Sequence, residues 1–387
     1  MASETNIAGL PLASVEEKAQ PISSRRFDWI MVVVSIWWLG GLFIDGWAHS
    51  NIPQLETFFT PWHAVLYSGY LAVATTLIVR IIQNLQHMAA STSADGKAPP
   101  LVTLIRESLP GNRWLRAIPA GYGLSLLGVG VFLVSGIGDM TWHIIFGIER
   151  GTEALLSPTH LGLALGIGLS LSGPLRAAWR RQDGTGASTW RQLGPAILSL
   201  TFAYSLLTFF TEYANPLINP WPIADASGSA SRGITTILLT TGIMMGLVLL
   251  VARRWRLPFG TWTFMFGVNG LLMAAFAPIE VIITVPTALL GGLAADLIYR
   301  LLQPSPEQLA SLRLFAFLVP ALFYLLYFIN LALVAPELAM MRPTVFASGI
   351  VWTIPFWAGA PVIAGATGCL LSYVMIPPAM PAEKKED

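Results

Sequence analysis

The chain alternates between long apolar segments and short polar ones. A helix needs about 20 apolar residues to cross a bilayer, and ten segments approach or exceed that length. They are 28–49, 60–82, 118–143, 158–178, 193–214, 233–252, 258–278, 282–302, 312–334 and 345–375. The pattern predicts an all-α fold, a polytopic integral membrane protein of about ten transmembrane helices arranged as repeated helical hairpins.

The polar segments divide the chain into successive parts. We expect 1–26 to form a disordered tail before a signal-anchor helix, because no apolar core of a cleavable signal precedes the first span. The predicted parts are a tail at 1–26, hairpin 1 at 27–82, a loop at 83–116, hairpin 2 at 117–178, the remaining hairpins at 193–376 and a second tail at 377–387.

Composition supports this interpretation. Hydrophobic residues make up 54% of the 387 residues and charged residues only 11%, with a mean hydropathy of +0.64. Soluble domains carry roughly 25% charged residues, so the expected surroundings are a lipid bilayer. A net charge of +1 argues against nucleic acid as a partner. The single cysteine, Cys369, excludes an intrachain disulfide and a thiolate metal cluster.

The distribution of cations predicts the orientation. Lys and Arg beside membrane spans are retained on the cytoplasmic side. When the ten spans are numbered in chain order, only three of the 22 Lys and Arg lie in loops that follow an odd-numbered span. They are Arg150, Arg232 and Arg342. We therefore expect a multi-pass protein of the plasma membrane with both termini in the cytoplasm.

Two pairs of segments indicate an internal repeat. Residues 45–49 read Asp-Gly-Trp-Ala-His and 59–63 read Phe-Thr-Pro-Trp-His. Residues 139–143 read Asp-Met-Thr-Trp-His and 156–160 read Leu-Ser-Pro-Thr-His. In each copy, one span ends with the pattern Asp-x-x-x-His. The next span begins with the pattern Thr/Ser-Pro-x-His.

This spacing predicts metal binding near the outer membrane face, either at two mononuclear sites or at one shared dinuclear site. Asp and His four residues apart lie on one face of a helix, and proline suits the first turn of the returning helix. Each hairpin can therefore bring together one carboxylate and two imidazoles, a set that leaves coordination positions open for a substrate or oxygen. The first trio is Asp45, His49 and His63, and the second trio is Asp139, His143 and His160.

A simpler interpretation is that these histidines only make polar contacts at helix ends. Four of the five histidines occupy matching places in the two copies, which favours metal binding. His87 falls in the predicted loop and is interpreted as a surface residue.

Two further carboxylates lie at the predicted outer ends of spans. Glu212 closes the fifth span, and Glu280 opens a weaker copy of the motif in which Ala288 replaces the histidine. They could face water, add ligands, hold ligand imidazoles in place or relay protons.

The second motif resembles the metal-site motif of the C subunit of the copper-containing membrane monooxygenases, the particulate methane and ammonia monooxygenases. In that subunit, Asp-x-x-x-His ends one span and Phe-Thr-Pro-Ser-His opens the next. The first copy, with Phe59-Thr60-Pro61-Trp62-His63, is similar in the other half of the pattern.

The resemblance implies a copper ion, with zinc or iron also compatible, held by one Asp and two His in each motif. It implies oxygen-dependent chemistry on a small apolar substrate. It also implies other membrane monooxygenase-type subunits as partners, with a homo-oligomer as the alternative.

Four functions compete. The favoured one is a copper-dependent membrane oxidoreductase or its metal-bearing subunit. The second is a zinc-dependent intramembrane hydrolase, in which Asp45, Asp139, Glu212 or Glu280 acts as the base. The third is a metal or proton transporter, with Asp296 as a partner at the inner face. The fourth is a structural or sensing module without metal. The sequence leaves open whether the chain alone is an enzyme.

Overall fold

The computed structural model describes residues 21–52, 58–93, 95–108, 113–147, 152–181, 188–220, 230–277, 279–341 and 353–377. These ranges form helices joined by short turns, and the predicted all-α class is confirmed. The α-helices are α1 Arg25–Asn51, α2 Pro61–Ala90, α3 Leu101–Ser108, α4 Arg113–Ala117, α5 Gly123–Phe146, α6 Thr152–Leu156, α7 Pro158–Leu171, α8 Gly173–Arg180, α9 Trp190–Phe210, α10 Ala230–Ala252, α11 Thr261–Phe276, α12 Val285–Leu302, α13 Leu309–Met341 and α14 Ile354–Met375. Short 3₁₀ helices at Glu212–Ala214 and Ile279–Thr284 follow α9 and precede α12.

Within the described residues, nine helical segments are long and apolar enough to span a membrane. The chain is therefore a polytopic membrane protein, as expected. Helix α2 continues to Ala90, beyond its expected end at 82, and the predicted loop 83–116 contains α3 and α4. The last helix begins at Ile354, and the earlier part of the expected span, up to residue 352, lies outside the described residues.

The expected span at 258–278 is the exception. Helix α11 has 16 residues, or about 24 Å at 1.5 Å per residue, whereas the hydrocarbon core is about 30 Å thick. It starts late because Gly260 adopts a left-handed backbone, with φ at +88°. It stops at Ala277, whose extended backbone suits a residue that precedes proline in the sequence.

The fourth span is broken between α7 and α8. Pro174 has no N–H, and its ring excludes the carbonyl oxygen four residues earlier from the helical hydrogen-bond pattern. Because lipid offers no replacement donors, the backbone carbonyls at the break need hydrogen-bond donors from within the protein. Arg176 donates to Leu169 O at 2.8 Å, Ser125 to Ser170 O at 3.1 Å and Ser199 to Leu171 O at 2.6 Å. The break is thus tied to both α5 and α9.

Helices α1 and α2 form one close hairpin, and α5 and α7 form another. A Cβ at Gly69 would stand 2.5 Å from Trp38 Cα, and one at Gly166 would stand 2.8 Å from Phe132 N. Only glycine allows backbones to approach this closely. The two hairpins are therefore rigid supports for the side chains at their ends.

Helix α9 joins two apolar cores and is the most buried of the nine spans. Its residues Leu193, Leu200 and Tyr204 belong to a core shared with α10 to α14. Phe202 and Phe209 belong to the other core, which is built on α1, α2, α5 and α7. The C-terminal end of α9 is thereby placed beside the two hairpins.

A buried ion pair fixes α1 at its N-terminal end. Asp28 is completely buried and lies 2.5 Å from Arg181, which follows α8. Ser23 and Tyr122 both donate hydrogen bonds of 2.7 Å to its Oδ1. The cluster connects α1 with the start of α5 and the end of α8.

We expect Asp28→Asn to lower the free energy of unfolding by roughly 3–5 kcal/mol, because it leaves the Arg181 guanidinium without its counter-charge. The double variant Asp28→Asn/Arg181→Met should recover most of that loss. Denaturant unfolding in detergent measures both. Additive losses in the double variant would contradict the pairing.

Candidate metal centre

The first trio gathers at the point where α1 ends and α2 begins. Asp45 and His49 occupy the last two turns of α1. Thr60 caps α2 by accepting a hydrogen bond from His63 N at 3.1 Å, and Pro61 opens the helix. The cap places His63 in the first turn, level with the end of α1.

The second trio is built in the same way on α5 and α7. Asp139 and His143 lie one turn apart near the end of α5. Ser157 caps α7 by accepting from His160 N at 3.4 Å, and Pro158 opens it. The structure therefore brings together all six residues that the sequence proposed as ligands, three in each hairpin.

The donor atoms of the first trio converge. His63 Nε2 lies 3.5 Å from Asp45 Oδ1, His49 Nε2 lies 3.8 Å from Asp45 Oδ2, and the two Nε2 atoms are 3.5 Å apart. Donors that surround one ion tetrahedrally at about 2.1 Å are about 3.4 Å apart. The trio could thus hold a single metal ion.

The second trio has matching dimensions. Asp139 Oδ1 lies 3.6 Å from His143 Nε2 and 3.3 Å from His160 Nε2. These separations exceed the 2.7–2.9 Å of a charge-assisted hydrogen bond. Within each trio one ligand atom from each residue lies within 4.8 Å of the others. The spacing is compatible with a shared cation in each trio.

Hydrogen bonds on the far side of the rings orient the imidazoles. His63 Nδ1 lies 2.5 Å from the Phe58 carbonyl oxygen, and His143 Nδ1 lies 3.2 Å from that of Gly147. His160 Nδ1 lies 2.7 Å from Ser157 Oγ. Because a carbonyl oxygen can only accept, Nδ1 of His63 and of His143 donates, which leaves the Nε2 lone pair of each ring for a metal, as is usual for ligand histidines.

Two of the proposed ligand atoms are buried but make no hydrogen bond to any described residue. Asp45 Oδ1 and His143 Nε2 have no hydrogen bond within the described part of the chain, although burying such groups unpaired costs free energy. Thr159 donates to Asp139 Oδ1 at 3.1 Å and so holds that carboxylate in place. A cation in each trio would give each of these atoms a partner, so the residues present fit a metal.

The trios are neighbours. The rings of His49 and His143 face each other with centroids 6.5 Å apart and planes inclined by 23°. Phe58 lies between the hairpins, 4.8 Å from the His63 ring and 6.2 Å from the His143 ring. The six residues therefore make two adjacent groups of three rather than one ring around a single point.

A cavity of about 450 Å³ adjoins both trios. Its polar wall includes both aspartates and three of the four trio histidines, and its other wall is largely apolar. The apolar side chains include Leu42, Leu66, Phe132, Leu163, Ile167 and Phe209. Such a chamber can take a small, mainly apolar molecule beside the proposed ligands.

Glu212 lines the same cavity from the 3₁₀ turn that follows α9. Its Oε2 is buried and has no hydrogen-bond partner among the residues described. Burial raises the pKa of this carboxyl to about 8, so it is mostly protonated at neutral pH. Glu212, which the sequence singled out, is thus placed where it can exchange a proton with a molecule in the cavity.

Tyr67 is a cavity residue that the sequence did not single out. Its ring centroid lies 6.4 Å from that of His63, and its buried hydroxyl is unpaired in the described structure. A Cβ at Gly136 would stand 3.0 Å from that hydroxyl. The available signal was its position four residues after His63, on the same helix face.

Two other acidic residues that the sequence singled out, Glu280 and Asp296, are not placed at this centre. The side chain of Glu280 falls outside the described residues. Asp296 accepts hydrogen bonds from Trp262 N at 3.2 Å and from Thr263 N and Oγ1 at 2.8 and 2.6 Å. It therefore caps the start of α11, which gives it a structural role.

Fold and site together define a polytopic membrane protein with two carboxylate–histidine trios that could hold metal ions. No protein-family model, curated protein or solved structure matches the chain.

The raised pKa of Glu212 predicts a pH-dependent stability. The unfolded carboxyl ionises near 4.5 and the folded one near 8, so its contribution is fully present below pH 4.5 and is lost as the pH rises through 8. Glu212→Gln, which mimics the protonated acid, should remove this part of the decline in the metal-free protein. Unfolding midpoints between pH 5 and 9 measure it. Glu107→Gln, which removes an exposed carboxylate on α3, is the control. Parallel curves of unfolding midpoint against pH for Glu212→Gln and the unmodified protein would contradict the raised pKa of Glu212.

Proposed function

We propose that each trio binds one metal ion, with copper favoured and zinc or iron as the alternatives. We propose further that the chain is a copper-dependent, monooxygenase-like membrane oxidoreductase or its metal-bearing subunit. The observation that carries the proposal is the convergence of two carboxylates and four imidazoles into two buried trios beside one cavity.

Ligand chemistry supports copper. Imidazole nitrogen suits copper, zinc and iron, and copper(II) forms the most stable complexes of the divalent first-row metals. The resemblance of both motifs to the C subunit of the copper-containing membrane monooxygenases points to the same metal. Each trio supplies three ligands, which leaves positions open for an incoming molecule.

The residues of the trios and of the cavity have different roles in this proposal. Asp45 and Asp139 supply the negative charge of the two sites. Nδ1 hydrogen bonds orient the imidazoles of His63, His143 and His160 toward the ions. Bound copper would supply one-electron chemistry with oxygen. Glu212 would hold a proton for a molecule in the cavity, and the apolar wall would exclude water and admit a small apolar substrate.

The distribution of cations in the sequence supports an orientation. We place both termini in the cytoplasm and the trios near the outer face of the plasma membrane, because the loops at the trio end carry few Lys and Arg. Monooxygenase-type subunits, or further copies of this chain, are the partners that this function would require.

Metal analysis tests the ligands. We expect copper-reconstituted, desalted protein to hold two ions per chain, one in each trio. His63→Ala and His160→Ala should each lose one ion, and the double variant should lose both. His87→Ala is the matched control because His87 is exposed on α2, far from the trios. Unchanged copper in the double variant would refute the sites.

A redox measurement separates the candidate functions. Protein loaded with copper(I) should develop the electron paramagnetic resonance signal of copper(II) when oxygen is admitted, and the His63→Ala/His160→Ala variant should not. Zinc as the sole stoichiometric metal, with hydrolysis of an added lipid ester or amide, would instead establish the hydrolase. The transporter is disfavoured because Asp296 already serves as a helix cap.

A further inference from the structure

The first hairpin carries a second cavity at the end opposite its trio. A groove of about 830 Å³ opens between α1 and α2, and Ser24, Arg26, Arg80 and Gln83 line its polar end. We infer that this groove binds one anionic phospholipid, with the phosphate at the two arginines and an acyl chain along the helices. The inference is independent of the proposed metal sites.

The polar end offers a pre-oriented cation. The Arg80 guanidinium lies 5.7 Å from the centroid of the Phe27 ring, which holds it against α1. Its Nη1 lies 3.4 Å from Gln83 Oε1, while its Nε is buried without a partner in the described structure. A guanidinium held in this way presents a donor fork that matches a phosphate.

Two other arginines near this end have donors occupied by groups of the protein. Arg176 donates to Gly121 O, Ser125 Oγ and Leu169 O, and Arg181 pairs with Asp28. Those residues hold the helices together. Arg80 and the exposed Arg26, in contrast, face a groove. Charge complementarity therefore selects an anionic occupant.

The rest of the groove suits a hydrocarbon chain. Trp37, Leu71 and Val79 line it and are 50, 59 and 45% exposed in the protein alone. From Arg26 to Trp37 the groove follows α1 for about 16 Å. Thr76 and Ser68, which also line it, donate to carbonyls of their own helix. An acyl chain therefore meets no unpaired hydroxyl at these two residues.

The position in the membrane matches a lipid better than a free anion. Helix α1 begins at Arg25, so Arg26 and the cationic end lie where the span starts, at headgroup level. The apolar part then continues toward the middle of the span. Phosphate alone would use only the arginines, whereas a phospholipid would occupy the whole groove.

Native mass spectrometry and thermal unfolding of delipidated protein test the inference. Phosphatidylglycerol should remain bound as one molecule per chain and raise the unfolding midpoint, with phosphatidylcholine and inorganic phosphate doing neither. Arg26→Gln/Arg80→Gln should weaken phosphatidylglycerol binding at least tenfold. Arg106→Gln, an exposed arginine on α3, is the control and should bind like the unmodified protein.

Two further readouts make the result decisive. An unchanged unfolding midpoint of the delipidated double arginine variant shows that it is folded, and the single Arg26→Gln change on the exposed surface should still weaken binding. Equal binding of phosphatidylcholine, undiminished phosphatidylglycerol binding in both variants, or equally strong binding of inorganic phosphate would overturn the lipid site.

Discussion

A bilayer interior provides no hydrogen-bond partners, so each polar group within the spans needs a partner inside the protein. Two places in the structure meet this requirement. Asp28 has Arg181, Ser23 and Tyr122, and the carbonyls freed near Pro174 have their own donors. In the two trios, Asp45 Oδ1 and His143 Nε2 are buried and make no hydrogen bond within the described part of the chain. A cation in each trio is the partner that we propose for these atoms.

Local helix chemistry explains how the trios arise. A Thr or Ser cap followed by proline starts α2 and α7 and fixes the depth of His63 and His160. The Asp-x-x-x-His spacing then presents the other two ligands one turn apart on the preceding span. Glycine contacts hold the two helices of each hairpin at a constant distance. The result is a pair of similar sites whose geometry depends on short segments of sequence.

These local features are what the sequence could predict. The all-α membrane class follows from composition, and the six trio residues follow from helix periodicity and capping. The short α11 escaped prediction because the left-handed Gly260 removes its first turn without lowering the hydropathy of the segment. The contact between His49 and His143, and the approach of the Tyr67 hydroxyl to Gly136, depend on packing between hairpins. Packing between helices leaves no periodic signal in the sequence. The sequence also suggested Asp296 as a transport residue at the inner face, because its hydrogen bonds to the start of α11 cannot be predicted from sequence.

Metal-edge anomalous diffraction from crystals of the copper-loaded protein tests the central claim most directly. We expect two peaks, one in the first trio and one in the second, each about 2 Å from one carboxylate oxygen and two imidazole Nε2 atoms. The absence of any peak at the trios, or copper held only elsewhere in the protein, would contradict it.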